Sequence, residues 1–228
     1  MRARSLLVGV TLLVVVGGVA AAPPDEAIIP LDKYTSEKGK ILATTFGSQL
    51  RQILNRVHNC RPWLNVPKAG LGFTRAVEMA GDDRYLNIWV RVRQTITSEF
   101  AGLSTERRAS AMFSRHGVDL LRQLSADDSI FADPALHGYS VILGWLKPNG
   151  GGPDAEKEET LGVFTDKATV RAFLAKRMGA KEFVEGATIV AFDGSDRLGR
   201  IPLEVWEDDF AKTFKLPNYE PADKNVRC

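Results

Sequence analysis

The feature that most constrains the fold is a succession of one helical pattern and two strand patterns, which occurs three times along the chain. An apolar stripe at helical spacing begins near Thr35, Ser104 and Asp166, and each stripe is followed by two segments in which apolar and polar residues alternate. A helix with one apolar stripe and a strand with one apolar face must bury these surfaces against each other. We therefore predict an α+β fold of three successive helix–hairpin (αββ) units, whose strands form one antiparallel sheet with the helices packed on one face.

Local signals give the bounds of the three predicted helices. The first should end at Arg61 and Pro62, the second should start from the N-cap Ser104 and weaken at Gly117, and the third should start at Thr165 or Asp166. The first apolar stripe consists of Leu42, Phe46, Leu50, Ile53 and Val57, and the second of Ala109, Met112, Phe113, His116, Leu120 and Leu124. The predicted strand pairs are 73–77 with 86–93, 139–145 with 160–164, and 187–192 with 201–206.

The N-terminus has the layout of a secretory signal peptide. Arg2 and Arg4 precede an apolar run over 6–16, and small residues follow it. Cleavage before Ala22 is expected, while an uncleaved anchor stays open because the apolar stretch approaches the roughly 17 residues that can span a bilayer. The expected organisation is a signal peptide at 1–21, a linker or flexible arm at 22–33, a single domain at 34–215 and a tail at 216–228. The signal predicts a secreted or periplasmic protein.

The charge balance argues against two classes of partner. The chain has 30 Lys and Arg against 28 Asp and Glu, and removing Arg2 and Arg4 with the signal leaves 28 of each sign. A neutral mature chain is not expected to bind nucleic acid or an anionic membrane surface by electrostatic attraction. No membrane span is expected after cleavage.

The two cysteines, Cys60 and Cys228, would both enter an oxidising compartment. A disulfide between them and two separate thiols are both open from the sequence. Cys60 has only His58 nearby, a spacing that matches no common zinc site, so no metal and no cofactor are predicted.

The three histidines limit the catalytic hypotheses. His116 lies on the apolar stripe of the second helix, one turn before Asp119, and a packed structural histidine is the favoured interpretation. The catalytic alternative is a hydrolase in which Asp119 orients His116 as an acid–base group. His58 and His137 are assigned to capping or surface positions.

The strongest binding signal is the polar face of the strand predicted at 86–93. Trp89, Arg91 and Arg93 alternate with apolar residues there, and an aromatic side chain beside arginines is typical of a binding patch that Arg84 could extend. The alternative is that the arginines pair with acids such as Glu78 on the partner strand while a loop covers Trp89.

These signals favour an exported binding or envelope-associated module without catalytic activity. Its expected partner is either an envelope macromolecule or a small apolar ligand held between helices and sheet. The alternatives are the extracytoplasmic hydrolase and a structural module tethered by an uncleaved N-terminus.

Overall fold

The computed structural model describes residues 25–76, 81–93, 97–147, 158–206 and 228, so the predicted signal peptide and most of the predicted tail lie outside the described residues. The helices are α1 (Glu37–Thr45), α2 (Gly47–Cys60), α3 (Ser98–Ala101), α4 (Thr105–Met112), α5 (Val118–Leu124), α6 (Asp128–Ala132), α7 (Lys167–Leu174) and α8 (Ala180–Gly186), with a π-helical turn (Phe113–Gly117) joining α4 to α5. The strands are β1 (Leu64–Asn65), β2 (Leu71–Thr74), β3 (Arg84–Val92), β4 (Leu136–Leu146), β5 (Glu158–Asp166), β6 (Thr188–Asp193) and β7 (Asp196–Gly199).

All of these strands belong to one sheet, which confirms the α+β fold with a single sheet. Its order is β1-β3-β4-β5-β6-β7, and β2 also pairs with β3. The predicted hairpins β2–β3 and β4–β5 are antiparallel, but β3 and β4 run parallel, so the all-antiparallel prediction is wrong at this pair. The reason is the helical connection from β3 to β4, which is long enough to cross over and return to the end where β3 began.

The core lies between the helices and one face of this sheet. Ile88, Val141 and Val163 are neighbours across β3, β4 and β5, and all three are fully buried on that face. The ring of Phe46, between α1 and α2, packs against Phe73 of β2 with ring centroids 6.1 Å apart. The apolar face predicted for β3 is confirmed, since Leu86, Ile88, Val90 and Val92 are buried in this core, although the opposite face is also buried at Asn87.

The second and third helices start where the sequence predicts. Ser104 accepts a hydrogen bond from Arg107 N at 3.3 Å, and Asp166 accepts one from Thr169 N at 2.9 Å. The first predicted helix is interrupted, because Phe46 leaves helical geometry (φ −106°, ψ 19°) between α1 and α2. Its apolar stripe stays buried across this break.

The third predicted hairpin is wrong in its second strand. Gly194 takes a positive φ of 61° in the turn after β6, and the partner strand is β7, which begins where a turn was expected. Residues 201–206 do not form a strand. Arg200 holds the departing chain against α8 by donating to Ala187 O at 2.8 Å and Val184 O at 2.9 Å.

Both ends of the described chain are attached to the domain. Ile29 N donates to Leu71 O at 2.8 Å, so the segment at 25–33 lies along the edge of β2. At the other end, Cys228 forms a disulfide with Cys60, the last residue of α2, with the two Cα atoms 5.5 Å apart. The bridge confirms the disulfide alternative and closes a separation of 168 residues.

Candidate binding cleft

A cleft of about 520 Å³ lies at one end of the sheet, and we call it the Arg91 cleft. The parallel strands β3 and β4 both end here, and β5 begins here. The cleft is lined by Asn65, Arg91, Val92, Arg93, Gly144, Trp145, Leu146 and Glu158. Two of the three residues predicted for a binding patch, Arg91 and Arg93, are therefore brought together in one cavity.

Arg91 is held in place by two contacts. Its Nε donates to Glu158 Oε1 at 3.3 Å and lies 3.2 Å from Oε2, while its guanidinium carbon stands 5.4 Å from the centre of the Trp89 ring. The Arg91 side chain is nevertheless 51% exposed, against 26% for Glu158. A planar cation with one side chain below it and one beside it is pre-oriented for a ligand.

Gly144 makes the Arg91–Glu158 contact sterically possible. It lies on β4 directly between Arg91 of β3 and Thr160 of β5, on the face away from the helices. A Cβ built at this position would overlap the Glu158 carboxylate. The missing side chain therefore lets Glu158 reach across a whole strand to Arg91.

Arg93 adds a second cation to the cleft. Its backbone N–H donates to Trp63 O at 2.8 Å, which fixes the main chain beyond the end of β3. Its side chain is exposed and has no acidic partner among the described residues. The cleft thus carries two arginines against one carboxylate, and that carboxylate is already engaged.

A buried network supports the cleft on the helix side of the sheet. Glu159 is 1% exposed and accepts from Arg108 Nε and Trp145 Nε1, each at 2.8 Å. Thr105 Oγ1 also donates to Glu159, at 3.3 Å. The hydrogen bond that Arg108 donates to Glu159 raises the pKa of Arg108, since it favours the charged guanidinium. A buried ion pair with this many partners fixes the indole of Trp145, a residue that lines the cleft.

The other residues of the predicted patch do not line the cleft. Trp89 is half-buried beneath Arg91 and does not line the cleft. Arg84 does not extend the patch, because it is 5% exposed and donates to Ser36 Oγ at 2.5 Å and to Asp82. Glu78, the acid predicted to pair with the arginines, lies outside the described residues. The acid that does pair with Arg91 is Glu158, on β5.

His116 and Asp119, the catalytic alternative, do not form a pair. His116 lies in the π-helical turn and is 4% exposed, and burial lowers its pKa to about 3. Asp119 Oδ2 instead accepts from Arg61 Nε at 2.8 Å, and its Oδ1 accepts from Arg122 Nη1 at 3.2 Å. His116 lines neither the Arg91 cleft nor the groove described next, a position typical of a core histidine.

A second cavity, of about 760 Å³, lies between α8 and the extended segment at 201–206. Ser110 Oγ accepts from Glu204 N, and Ser114 Oγ accepts from Trp206 N, both at 2.9 Å, so two serines one helical turn apart anchor this segment. Sequence reasoning missed α8 and this anchoring. The spacing of four residues between Ser110 and Ser114 places both hydroxyls on one side of the helix, but it does not identify their partner.

Two further features are absent from the described part of the chain. No group of three or more His, Cys, Asp and Glu side chains there could hold a metal ion. Within the same residues, no helix combines the length and the apolarity needed to cross a lipid bilayer.

Comparison of the chain with protein-family models, with curated proteins and with solved structures finds no match.

Proposed function

We propose that this chain is an exported, non-catalytic binding protein whose ligand site is the Arg91 cleft. The observation that carries the proposal is the pair of exposed arginines, Arg91 and Arg93, in one cleft at the end of the sheet. Long cationic side chains at a surface are usually mobile. Here the Arg91 guanidinium is oriented by Glu158 and Trp89, which lowers the entropy lost when a ligand binds.

The export half of the proposal is supported by the signal-like N-terminus and by the disulfide. Disulfides persist in oxidising compartments and are rare in the cytosol, and the Cys60–Cys228 bridge joins distant parts of the chain. The expected mature chain begins at Ala22 and is found outside the cytoplasm. Leu13→Arg, within the apolar run, should block export, whereas the matched variant Ser5→Ala should not. Mass determination of the fractionated protein measures both, and an unprocessed cytoplasmic chain would contradict the export assignment.

The binding half is tested by heteronuclear NMR of the mature protein against a panel of small acids, bases and neutral amphiphiles. A ligand of the Arg91 cleft should shift the amide signals of Val92, Gly144 and Trp145. Arg91→Ala combined with Trp89→Ala should weaken this binding without unfolding the protein. Arg51→Ala is the matched control, because Arg51 is an exposed arginine of α2 that does not line the cleft. Ligands that shift only signals elsewhere, or that bind the double variant equally well, would remove the cleft from consideration.

A further inference from the structure

We infer that the ligand of the Arg91 cleft is a small carboxylic acid with an apolar body. This inference rests on the proposed binding function and narrows it to one chemical class. The proposed ligand has two parts: a planar anion that binds Arg91 and an apolar chain that packs against Leu146.

The anion part follows from the unused donors of Arg91. A guanidinium has five N–H donors in a fork that matches a carboxylate. Glu158 engages the Nε donor, whereas the terminal nitrogens of Arg91 have no partner among the described residues. Arg93 follows the end of β3, and its exposed side chain lines the same cleft. A carboxylate can therefore bind the Arg91 fork with Arg93 as a second cation.

Glu158 acts as a positioning residue for this anion and also opposes it. Its carboxylate holds the Arg91 Nε, but its negative charge lies close to the place where the ligand's charge would bind. A glutamine at this position keeps an oxygen that can accept from Nε and removes the charge. Glu158→Gln should therefore tighten carboxylate binding by about threefold to tenfold, which is the effect expected for removing one like charge at the protein surface.

The apolar part follows from Leu146. Leu146 is 49% exposed at the end of β4, and it lines the cleft on the same face of the sheet as Arg91 and Glu158. An alkyl chain of a few carbons placed against Leu146 removes apolar surface of both molecules from water. The cleft volume of about 520 Å³ suits a small molecule of this kind.

The test measures the affinity of the mature protein for octanoate, octanamide, acetate and inorganic phosphate by the same NMR shifts. Octanoate should bind at least about tenfold more tightly than octanamide, because only the acid carries a negative charge and two equivalent oxygens for the Arg91 fork. Arg91→Lys keeps the charge but loses the fork and should weaken octanoate binding by about tenfold. Leu146→Ser should weaken octanoate binding while leaving that of acetate unchanged.

The outcomes separate this inference from the function on which it rests. Octanamide that binds as tightly as octanoate, or phosphate that binds as tightly as either, would overturn the carboxylate assignment while leaving a ligand site in the cleft. The carboxylate assignment would also be overturned if octanoate shifted no amide signals of the cleft while basic or neutral members of the panel did. No cleft response to any member of the panel would overturn both. Glu158→Gln that weakens octanoate binding would refute the role given to Glu158.

Discussion

Acidification should destabilise the protein through His116. Burial lowers the pKa of His116 from its ordinary 6.5 to about 3, and the nearby cations Arg115 and Arg61 act in the same direction. At neutral pH both the folded and the unfolded chain hold a neutral imidazole, so the residue has no effect on pH dependence there. As the pH falls below about 6.5 the unfolded chain takes up a proton that the folded chain cannot, and the free energy of unfolding decreases.

The magnitude follows from the width of that window. Each pH unit below about 6.5 removes up to about 1.4 kcal/mol, and the loss stops near pH 3, where the folded state also protonates. Between about pH 7 and about pH 5, His116 should therefore account for a loss of about 2 kcal/mol. Carboxylates titrate mainly below this range, so they contribute little to the change.

The assay is urea unfolding followed by tryptophan fluorescence, at several pH values between neutral and moderately acid. His116→Leu removes the ionisable group. The free energy of unfolding of this variant should therefore fall by about 2 kcal/mol less than that of the wild type between about pH 7 and about pH 5, whatever the absolute stability of the variant. His58→Gln, at an exposed position of α2, is the matched control for removing one histidine. Parallel profiles for wild type and His116→Leu would show that His116 is hydrated or hydrogen-bonded in the folded protein and would refute the reasoning.

Two further predictions concern the helix that holds His116 and the disulfide. A Cβ at Gly117 would lie 2.7 Å from Phe113 Cε2, so Gly117→Ala should lower the free energy of unfolding by about 1–3 kcal/mol, measurable as a lower urea midpoint. Replacing both Cys60 and Cys228 with serine removes the constraint on a separation of 168 residues and should destabilise the protein by up to about 5 kcal/mol in the chain-entropy model. A reductant should lower the melting temperature of the wild type alone, and an equal response of the double variant would contradict this.

Local signals in the sequence were sufficient for the parts of the fold that depend on neighbouring residues. Ser104 and Asp166 cap helices as predicted, because a cap requires only a side chain and an amide three residues later. The faces of β3 were predictable for the same reason, since alternation is a property of one strand. The disulfide needed information from both ends of the chain, so the sequence left it open.

The errors concern features that depend on distant parts of the chain. The break at Phe46 separates two helices whose apolar residues continue in one stripe, so periodicity alone could not show it. Residues 201–206 have the alternation of a strand but are extended because Ser110 and Ser114 bind their backbone. In both cases the pattern of burial was predicted, whereas the backbone geometry of Phe46 and the hydrogen-bonding partners of residues 201–206 were not.

The candidate cleft itself depends on the feature of the sheet that was predicted wrongly. Arg91 pairs with Gly144 across the parallel β3–β4 ladder, and Gly144 pairs with Thr160 across the antiparallel β4–β5 ladder. A slip of one residue in either ladder would turn the facing side chains to the other side of the sheet. Glu158 could then no longer reach Arg91 over a glycine. The register of these two ladders therefore determines whether the Arg91 guanidinium is oriented by Glu158 or only solvated. A ligand site here depends on the topology of the sheet as much as on the residues of one strand.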